Sequence, residues 1–384
     1  MRKKIGILGS TGSIGKTLLS LIDKKNTEII FLSANSNYKK ILKQAKIYNV
    51  KNIIISDKSS FIKANNFNTN KNIKIFNSEY NFKKIIKDKL DYVMSSIIGI
   101  AGLKPTFEII KFTKKIAIAN KETLVCAWPL IKNELVKYGT EFVPVDSEHF
   151  SIWREIKDHD PTEIDKVFLT ASGGPLLKYK NHNSKKIKIS SILNHPTWKM
   201  GKKISVDSAT MMNKCFEVIE AKNIFNLNYR QIKILIHPDS YVHAVVVYKN
   251  GLSKIILHET TMKVPIFNSI YGNDRPYSHN TKINIKKLND LKLEKVDEKQ
   301  FPIIQCLKLM PHYHSLFETV MIVVNDYYVN EFLSKKINFY EISKFILKFL
   351  KKKNTKKYKK IVVRSINDIS KLTNFINTEL KTFN

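Results

Sequence analysis

Lys4-Ile5-Gly6-Ile7-Leu8-Gly9-Ser10-Thr11-Gly12-Ser13-Ile14-Gly15 opens the chain and decides the fold of its first part. An apolar run ends in glycines at positions 9, 12 and 15, and a helical pattern over Lys16–Lys24 follows. Glycine permits a tight turn and close backbone approach, and the free N–H groups of the following helix attract anions. A strand, a glycine loop and a helix in that order cradle the diphosphate of a dinucleotide. The second strand candidate, Ile29–Ser33, runs into Ala34-Asn35-Ser36-Asn37-Tyr38-Lys39-Lys40 with no acidic residue. An acid there would bind the ribose hydroxyls of NAD. Amides and a hydroxyl at Asn35, Ser36 and Asn37, with lysines beyond, favour NADP and its 2′-phosphate.

Outward from this loop, short apolar runs alternate with amphipathic segments. Further strand candidates are Asn52–Ile55, Ile73–Phe76, Tyr92–Ser95, Ile116–Ala119 and Phe142–Val145. Helical patterns cover Lys39–Tyr48, Pro105–Phe112 and Thr123–Tyr138, while Lys58 to Asn72 is polar and reads as a loop-rich excursion. This alternation predicts an α/β fold that begins with a Rossmann-type parallel sheet, covered on both faces. After Ser147, strand candidates Val167–Thr170, Ile232–Ile236, His243–Val247 and Ser253–His258 read as α+β. From Pro302 the pattern is helical. The expected domains are 1–146 for the cofactor, 147–271 for catalysis, a linker over 272–299 and a C-terminal helical domain over 300–384.

Composition bounds the function. The net charge of +33 is almost all lysine, with arginine only at Arg2, Arg154, Arg230, Arg275 and Arg364. Lysine, asparagine and isoleucine share A/T-rich codons, and base-reading surfaces favour arginine. The charge therefore reads as genome bias, and a nucleic-acid partner is not expected. No apolar stretch reaches membrane-span length and no signal peptide is evident. Cys126, Cys215 and Cys306 are an odd, dispersed set. The expectation is a reduced, cytoplasmic protein with no membrane partner.

Where the run Phe142–Val145 ends, Asp146 and Glu148 follow at i and i+2, flanked by Ser147 and His149. Glu217 lies about seventy residues on, beside Asn213 and Lys214. Three converging carboxylates with open positions suit a hard cation, Mg2+ or Mn2+, with Co2+ as a further candidate. Such an ion polarises substrate oxygens and offsets developing negative charge. Asn120-Lys121-Glu122 follows the strand Ile116–Ala119, where open α/β sheets bind ligands. Ser172-Gly173-Gly174-Pro175, His195, Ser208, Asn213 and Lys214 offer hydroxyl, amide and cationic donors for a phosphate. Trp198, in a polar loop, is expected to be a lid that excludes water. His237, His243, His312 and His314 lack cysteine or acidic partners at zinc spacing and read as structural. His258-Glu259-Thr260-Thr261-Met262 lacks the second histidine of a metalloprotease motif. A semialdehyde dehydrogenase would need a nucleophilic cysteine beside a histidine, and none of the three cysteines has that setting. A non-enzymatic basic module has only the net charge in its favour.

These blocks resemble the 1-deoxy-D-xylulose 5-phosphate reductoisomerase family. The similarity runs through GSTGSIG (9–15), ANKE (119–122), PVDSEH (144–149), SGGP (172–175), HPTWKMGKKISVDSATMMNK (195–214) and IHPDSYVH (236–243). The resemblance implies an NADP-dependent oxidoreductase of isoprenoid precursor biosynthesis. It would rearrange and reduce 1-deoxy-D-xylulose 5-phosphate to 2-C-methyl-D-erythritol 4-phosphate with NADPH and a divalent metal. It implies Asp146, Glu148 and Glu217 as metal ligands and catalytic residues, with Lys121 catalytic as well. Lys121, Ser147, Glu148, Ser172, His195, Ser208, Asn213, Lys214 and Glu217 would bind the phosphorylated sugar. Thr11, Gly12, Ser13, Ile14, Asn35, Ser36, Asn37, Asn120, Glu122 and Gly201 would contact the cofactor. The family is dimeric, so a homodimer is expected. Departures are Asn35-Ser36 where many members carry glycine and a basic residue, Cys215 where glycine is usual, and Met321–Asp326 in place of a more alanine-rich helix.

Overall fold

The computed structural model describes residues 2–77, 82–157, 159–178, 187–198, 200–277 and 283–383. The chain packs as two compact units. One comprises Met1–Thr123, Ile131–Asp146 and Met262–His279; the other comprises Leu124–Leu130, Ser147–Thr261 and Asn280–Asn384.

The first unit is built on strands β1 (Lys3–Leu8), β2 (Thr27–Ala34), β3 (Asn52–Ile55), β4 (Lys74–Asn77), β5 (Tyr92–Ser95), β6 (Lys115–Ile118) and β7 (Glu141–Pro144). Their order is β4-β3-β2-β1-β5-β6-β7, and every pairing is parallel. The order reverses between β1 and β5, which is the switch point where open α/β sheets bind ligands. Helices α1 (Ser13–Leu21), α2 (Tyr38–Ile47), α3 (Lys58–Phe67), α4 (Leu103–Ile110) and α5 (Lys121–Tyr138) lie between the strands. Continuous apolar runs account for the double covering: Ile5, Ile7, Leu8, Leu32, Ile53, Val93 and Ile116 are all completely buried.

Helix α3 corrects the expectation of a loop-rich excursion over Lys58 to Asn72. The Asp57 carboxylate caps it by accepting the Ser60 N–H at 2.7 Å, and Ala64 is fully buried. A cap and a narrow buried stripe carry a helix whose composition is otherwise polar.

In the second unit, α6 (Ser147–Ile156), β8 (Ile164–Ala171), α7 (Ile189–Leu193), α8 (Lys202–Thr210) and α9 (Met212–Phe225) precede β9 (Ile232–Ile236), β10 (Val242–Tyr248) and β11 (Ser253–Leu257). Helix α10 (Lys263–Tyr271) belongs to the first unit. Within the stretch 272–299 lie α11 (Ile285–Asn289) and β12 (Glu294–Lys295), which pairs antiparallel with β9; residues 278–282 are outside the described residues. The second sheet has the order β11-β10-β8-β9-β12, with only β8 and β9 parallel. Ile152 and Ile156 of α6 and Val218, Ala221 and Phe225 of α9 join Val167, Leu169, Ala244 and Val246 of the sheet in one apolar cluster. That packing sets the N-terminal turns of α6 and α9 side by side. The C-terminal helices are α12 (Leu316–Leu333), α13 (Phe339–Leu350), α14 (Lys353–Lys356) and α15 (Ile366–Lys381). Among the described residues, no helix is long and apolar enough to cross a membrane.

Candidate active site

In the first unit, the glycine loop joins β1 to α1. Gly9 has φ +87, and a Cβ there would meet the Ser96 carbonyl oxygen at 2.8 Å, just past the end of β5. A Cβ on Gly15 would meet the Gly9 oxygen and the Ser10 Cα, each at 2.5 Å. Both glycines are required by close backbone packing at the switch point. Ser10 is committed to the scaffold: its hydroxyl reaches Gln44 Oε1 at 2.8 Å, and Gln44 Nε2 donates to its carbonyl at 2.9 Å. Thr11 and Ser13 lie toward the surface, and α1 begins at Ser13 with no side-chain cap. The N–H groups of Ser13, Ile14 and Gly15 have no partner within their own helix.

At the end of β2, Asn35 and Ser36 are exposed. Asn35 Oδ1 accepts from Ser56 Oγ at 3.2 Å, and Asn37 caps α2 by accepting the Lys40 N–H at 3.3 Å. Lys40 is held below the usual lysine range by desolvation first and then by the neighbouring ammonium of Lys16. Lys16 was not singled out by the sequence; a basic residue in the first turn after a glycine loop was the available signal. Asn120 caps α5 by accepting the Thr123 N–H, and its Nδ2 donates to the carbonyls of Ile97 and Gly99. Its side chain is thus spent on the fold. Glu122 is buried, and Lys121 forms an ion pair with Asp146, the residue that follows the strand β7 and its neighbour Val145.

The second unit carries the charge. Glu148 stands in the first turn of α6, and Asn213, Lys214 and Glu217 in the first turns of α9. Carboxylate oxygens of Glu148 and Glu217 lie within 4.8 Å of one another. The Lys214 ammonium sits between them, 2.6 Å from Glu148 Oε1 and in contact with Glu217 Oε2. Burial alone would lower the Lys214 pKa; the two carboxylates outweigh it and raise the pKa. Asn213 Nδ2 donates to Glu217 Oε1, and Ser147 Oγ donates to Glu148 Oε2. Asp146 is two residues before Glu148 on the same strand-to-helix turn. Hard oxygen donors, with a buried cation already between two of them, fit a divalent metal. Beneath this layer His149 Nε2 donates to the Glu217 carbonyl at 2.9 Å, and its Nδ1 lies 3.7 Å from Glu220 Oε2. Glu220 was missed in the sequence, although its position one helical turn after Glu217 pointed to it.

A second cluster has no full charge. Backbone N–H groups of Thr197 and Trp198 donate to His195 Nδ1 at 3.2 and 3.0 Å. Nδ1 is therefore the acceptor nitrogen, and Nε2 carries the hydrogen. That hydrogen goes to Ser172 Oγ at 3.0 Å, which also accepts the Gly174 N–H at 3.1 Å. With two incoming donors, the Ser172 hydroxyl hydrogen is left to serve a further acceptor. Burial lowers the His195 pKa, in keeping with a neutral ring. Gly173 and Gly174 have φ +78 and +68, and a Cβ on Gly174 would meet Ala209 Cα at 3.0 Å, so the turn rests on α8. Ser208, on α8, and Asn213 are half-buried, and Gly201 caps α8. Trp198 is half-buried, with its ring edge-on to His243 at 6.3 Å; His243 stacks on His258 at 3.7 Å. Lys199 lies outside the described residues.

Three family profiles match the chain. One described as 1-deoxy-D-xylulose 5-phosphate reductoisomerase covers residues 5–128. Its C-terminal domain covers 142–225, and a DXP reductoisomerase C-terminal domain covers 257–374. A 1-deoxy-D-xylulose 5-phosphate reductoisomerase of Pelagibacter ubique is 48% identical over 384 residues, covering 99% of each chain. One of Wolbachia pipientis wMel is 39% identical over 346 residues, 88% of each. The solved reductoisomerase of Zymomonas mobilis in complex with NADPH superposes with a TM-score of 0.87 at 29% identity, covering 100% of this chain and 99% of that one. A DOX-P reductoisomerase in complex with NADPH, fosmidomycin and magnesium gives 0.88 at 29% identity, with 99% of each chain covered. By full-length identity to these relatives, this chain belongs to the 1-deoxy-D-xylulose 5-phosphate reductoisomerase family.

Proposed function

We propose that this protein converts 1-deoxy-D-xylulose 5-phosphate to 2-C-methyl-D-erythritol 4-phosphate, using NADPH and Mg2+. The observation that carries the reading is the Glu148–Lys214–Glu217 cluster on α6 and α9. Asp146, Glu148 and Glu217 would hold the cation. When bound, the cation polarises adjacent carbonyl and hydroxyl oxygens of the sugar, and NADPH supplies the hydride. Lys214 now pairs with both carboxylates; with those carboxylates on a divalent ion, its ammonium would be available to the substrate. Lys121, paired with Asp146, would bind the substrate backbone together with Ser147. Asn213 orients Glu217 through its amide and, with Ser172, His195 and Ser208, would bind the phosphate. Neutral donors suit a phosphate here, because they bind a dianion without forming ion pairs with the metal carboxylates. Remote phosphate contacts would supply the binding energy that orients the reacting carbons and closes the Trp198 loop.

Thr11, Gly12, Ser13 and Ile14 would cradle the cofactor diphosphate. The neighbouring ammonium groups of Lys16 and Lys40 would supply positive charge for a 2′-phosphate beside Asn35, Ser36 and Asn37. Asn120, Glu122 and Gly201 would line the cofactor site by their backbone or their position. Functionally, residues 1–146 would serve the cofactor and 147–271 the metal and sugar, with 272–299 as a linker and 300–384 as the helical domain. We propose a cytoplasmic homodimer. β11 is an edge strand with Ile255 exposed, a surface that a second copy would cover.

Incubation with NADPH, 1-deoxy-D-xylulose 5-phosphate and Mg2+ tests this reading. Oxidation of NADPH matched by 2-C-methyl-D-erythritol 4-phosphate is expected, and loss of both on chelation. Undiminished activity after exhaustive chelation would contradict the metal assignment.

A further inference from the structure

Four side chains of the second unit form a polar cluster that the proposed reaction does not use. Asp207 is 3% exposed and Asn325 completely buried. Asn325 Nδ2, on α12, donates to Asp207 Oδ1, on α8, at 2.8 Å. The Lys203 ammonium lies 3.3 Å from Asp207 Oδ2 and 3.0 Å from Asp326 Oδ1. An interior contact between two helices needs none of this polarity. Apolar side chains of similar volume often stabilise as well or better, and a buried polar set gains its advantage by fixing one geometry.

The position of the cluster tells what is fixed. Asp207 directly precedes Ser208, and its carbonyl accepts from Thr210 Oγ1 at 3.2 Å. That hydroxyl oxygen accepts the Met212 N–H at 3.3 Å, one residue before Asn213. Between the two helices Met211 is buried with φ +70, a left-handed conformation that a non-glycine residue holds only when its surroundings enforce it. The glycine turn after Ser172 packs on the backbone of Ser208 and Ala209. One hydrogen-bonded path therefore runs from α12 through Asp207 to the helix joint that presents Ser208 and Asn213.

We propose that Lys203, Asp207 and Asn325 are positioning residues that lock α8 to α12 and thereby set the affinity of the site for the substrate phosphate. The inference rests on the reading of Ser208 and Asn213 as phosphate donors. It gives the C-terminal helices a part in substrate recognition without their touching the substrate.

The test compares Lys203→Met, Asn325→Leu and the exchange Asp207→Asn/Asn325→Asp, which keeps a donor and an acceptor across the contact. KM for 1-deoxy-D-xylulose 5-phosphate and the inhibition constant of inorganic phosphate should rise together by about tenfold in the single variants. Turnover at saturation should stay within about twofold, because the reacting groups are untouched. NADPH affinity should not change, and the exchange variant should recover most of the phosphate affinity. Lys203→Met keeps the test alive if Asn325→Leu does not fold, since Lys203 is partly exposed at the rim. A fall in melting temperature with KM and phosphate inhibition unchanged would overturn the proposal and leave a scaffold contact. If phosphate does not compete with the sugar in the unaltered protein, the phosphate reading itself fails, and this inference falls with it.

Discussion

The glycine loop after β1 and the carboxylate cluster on α6 and α9 are made in opposite ways. The loop is a backbone device: Gly9 and Gly15 admit no Cβ, and the side chains of Thr11 and Ser13 lie toward the surface. The cluster is a side-chain device, in which the buried Lys214 and Glu217 and the half-buried Glu148 hold one another, one ammonium between two carboxylates. A backbone device tolerates side-chain change but not the addition of a methyl group at its glycines. A side-chain device is altered when one charge is removed, because the balance of attraction among the remaining groups changes. The two regions should therefore answer to different substitutions and lose different functions.

The largest effect is expected at the cluster. Glu217→Gln removes one negative charge and keeps the shape, so turnover should fall by roughly 1000-fold or more while NADPH affinity holds. Titrating NADPH into the variant checks the second half; a parallel loss of cofactor binding would erase the contrast between the regions.

Next comes Gly15→Ala. Its Cβ would press on backbone atoms at 2.5 Å that cannot swing aside. NADPH affinity should weaken by on the order of 100-fold, with metal affinity retained. Calorimetric titration with NADPH and separately with Mn2+ measures both. Thr11→Ala, by contrast, should change little.

Lys214→Ala sharpens the picture within the cluster. It removes the ammonium that competes with a cation for Glu148 and Glu217. Mn2+ should bind about tenfold more tightly, while KM for the sugar rises by at least a similar factor. Metal affinity that falls instead would mean that Lys214 organises the carboxylates rather than neutralising them.

The smallest effect is at the end of β2. Lys40→Ala should weaken NADPH binding by about fivefold to tenfold at low salt and leave NADH binding unchanged, since only the 2′-phosphate is ionic there. Equal loss for both cofactors would move Lys40 out of the 2′-phosphate site.

The same contrast explains what was legible in the sequence. The glycine loop and its strand are local, and β3, β5 and β9 begin and end at the residues expected from apolar runs. Helix α3 was not legible, because a cap at Asp57 and two small buried residues decided it, not periodicity. Asp146 and Glu148 were visible as residue types at the end of a strand, and Glu217 beside Asn213 and Lys214. Their pairing through Lys214, which the sequence suggested for the phosphate, depends on two helices far apart in sequence packing on one sheet. Likewise Asn37 and Asn120, expected at the cofactor, are found capping α2 and α5. An asparagine before a helix can cap it and still border a cofactor, and only the folded backbone shows the cap. Lys16 and Lys40 needed the folded first unit to bring α1 and α2 within reach of each other.

The central claim is that one hydride passes from the cofactor to a sugar phosphate only when the carboxylate cluster holds a divalent ion. The most direct measurement uses NADPH that carries deuterium at the transferred position, with 1-deoxy-D-xylulose 5-phosphate and Mg2+, and weighs the product by mass spectrometry. The account predicts 2-C-methyl-D-erythritol 4-phosphate heavier by one deuterium in place of hydrogen, no product in the presence of a chelator, and product formed roughly 1000-fold or more slowly by Glu217→Gln. Unlabelled product, or labelled product formed as fast without metal, would contradict it.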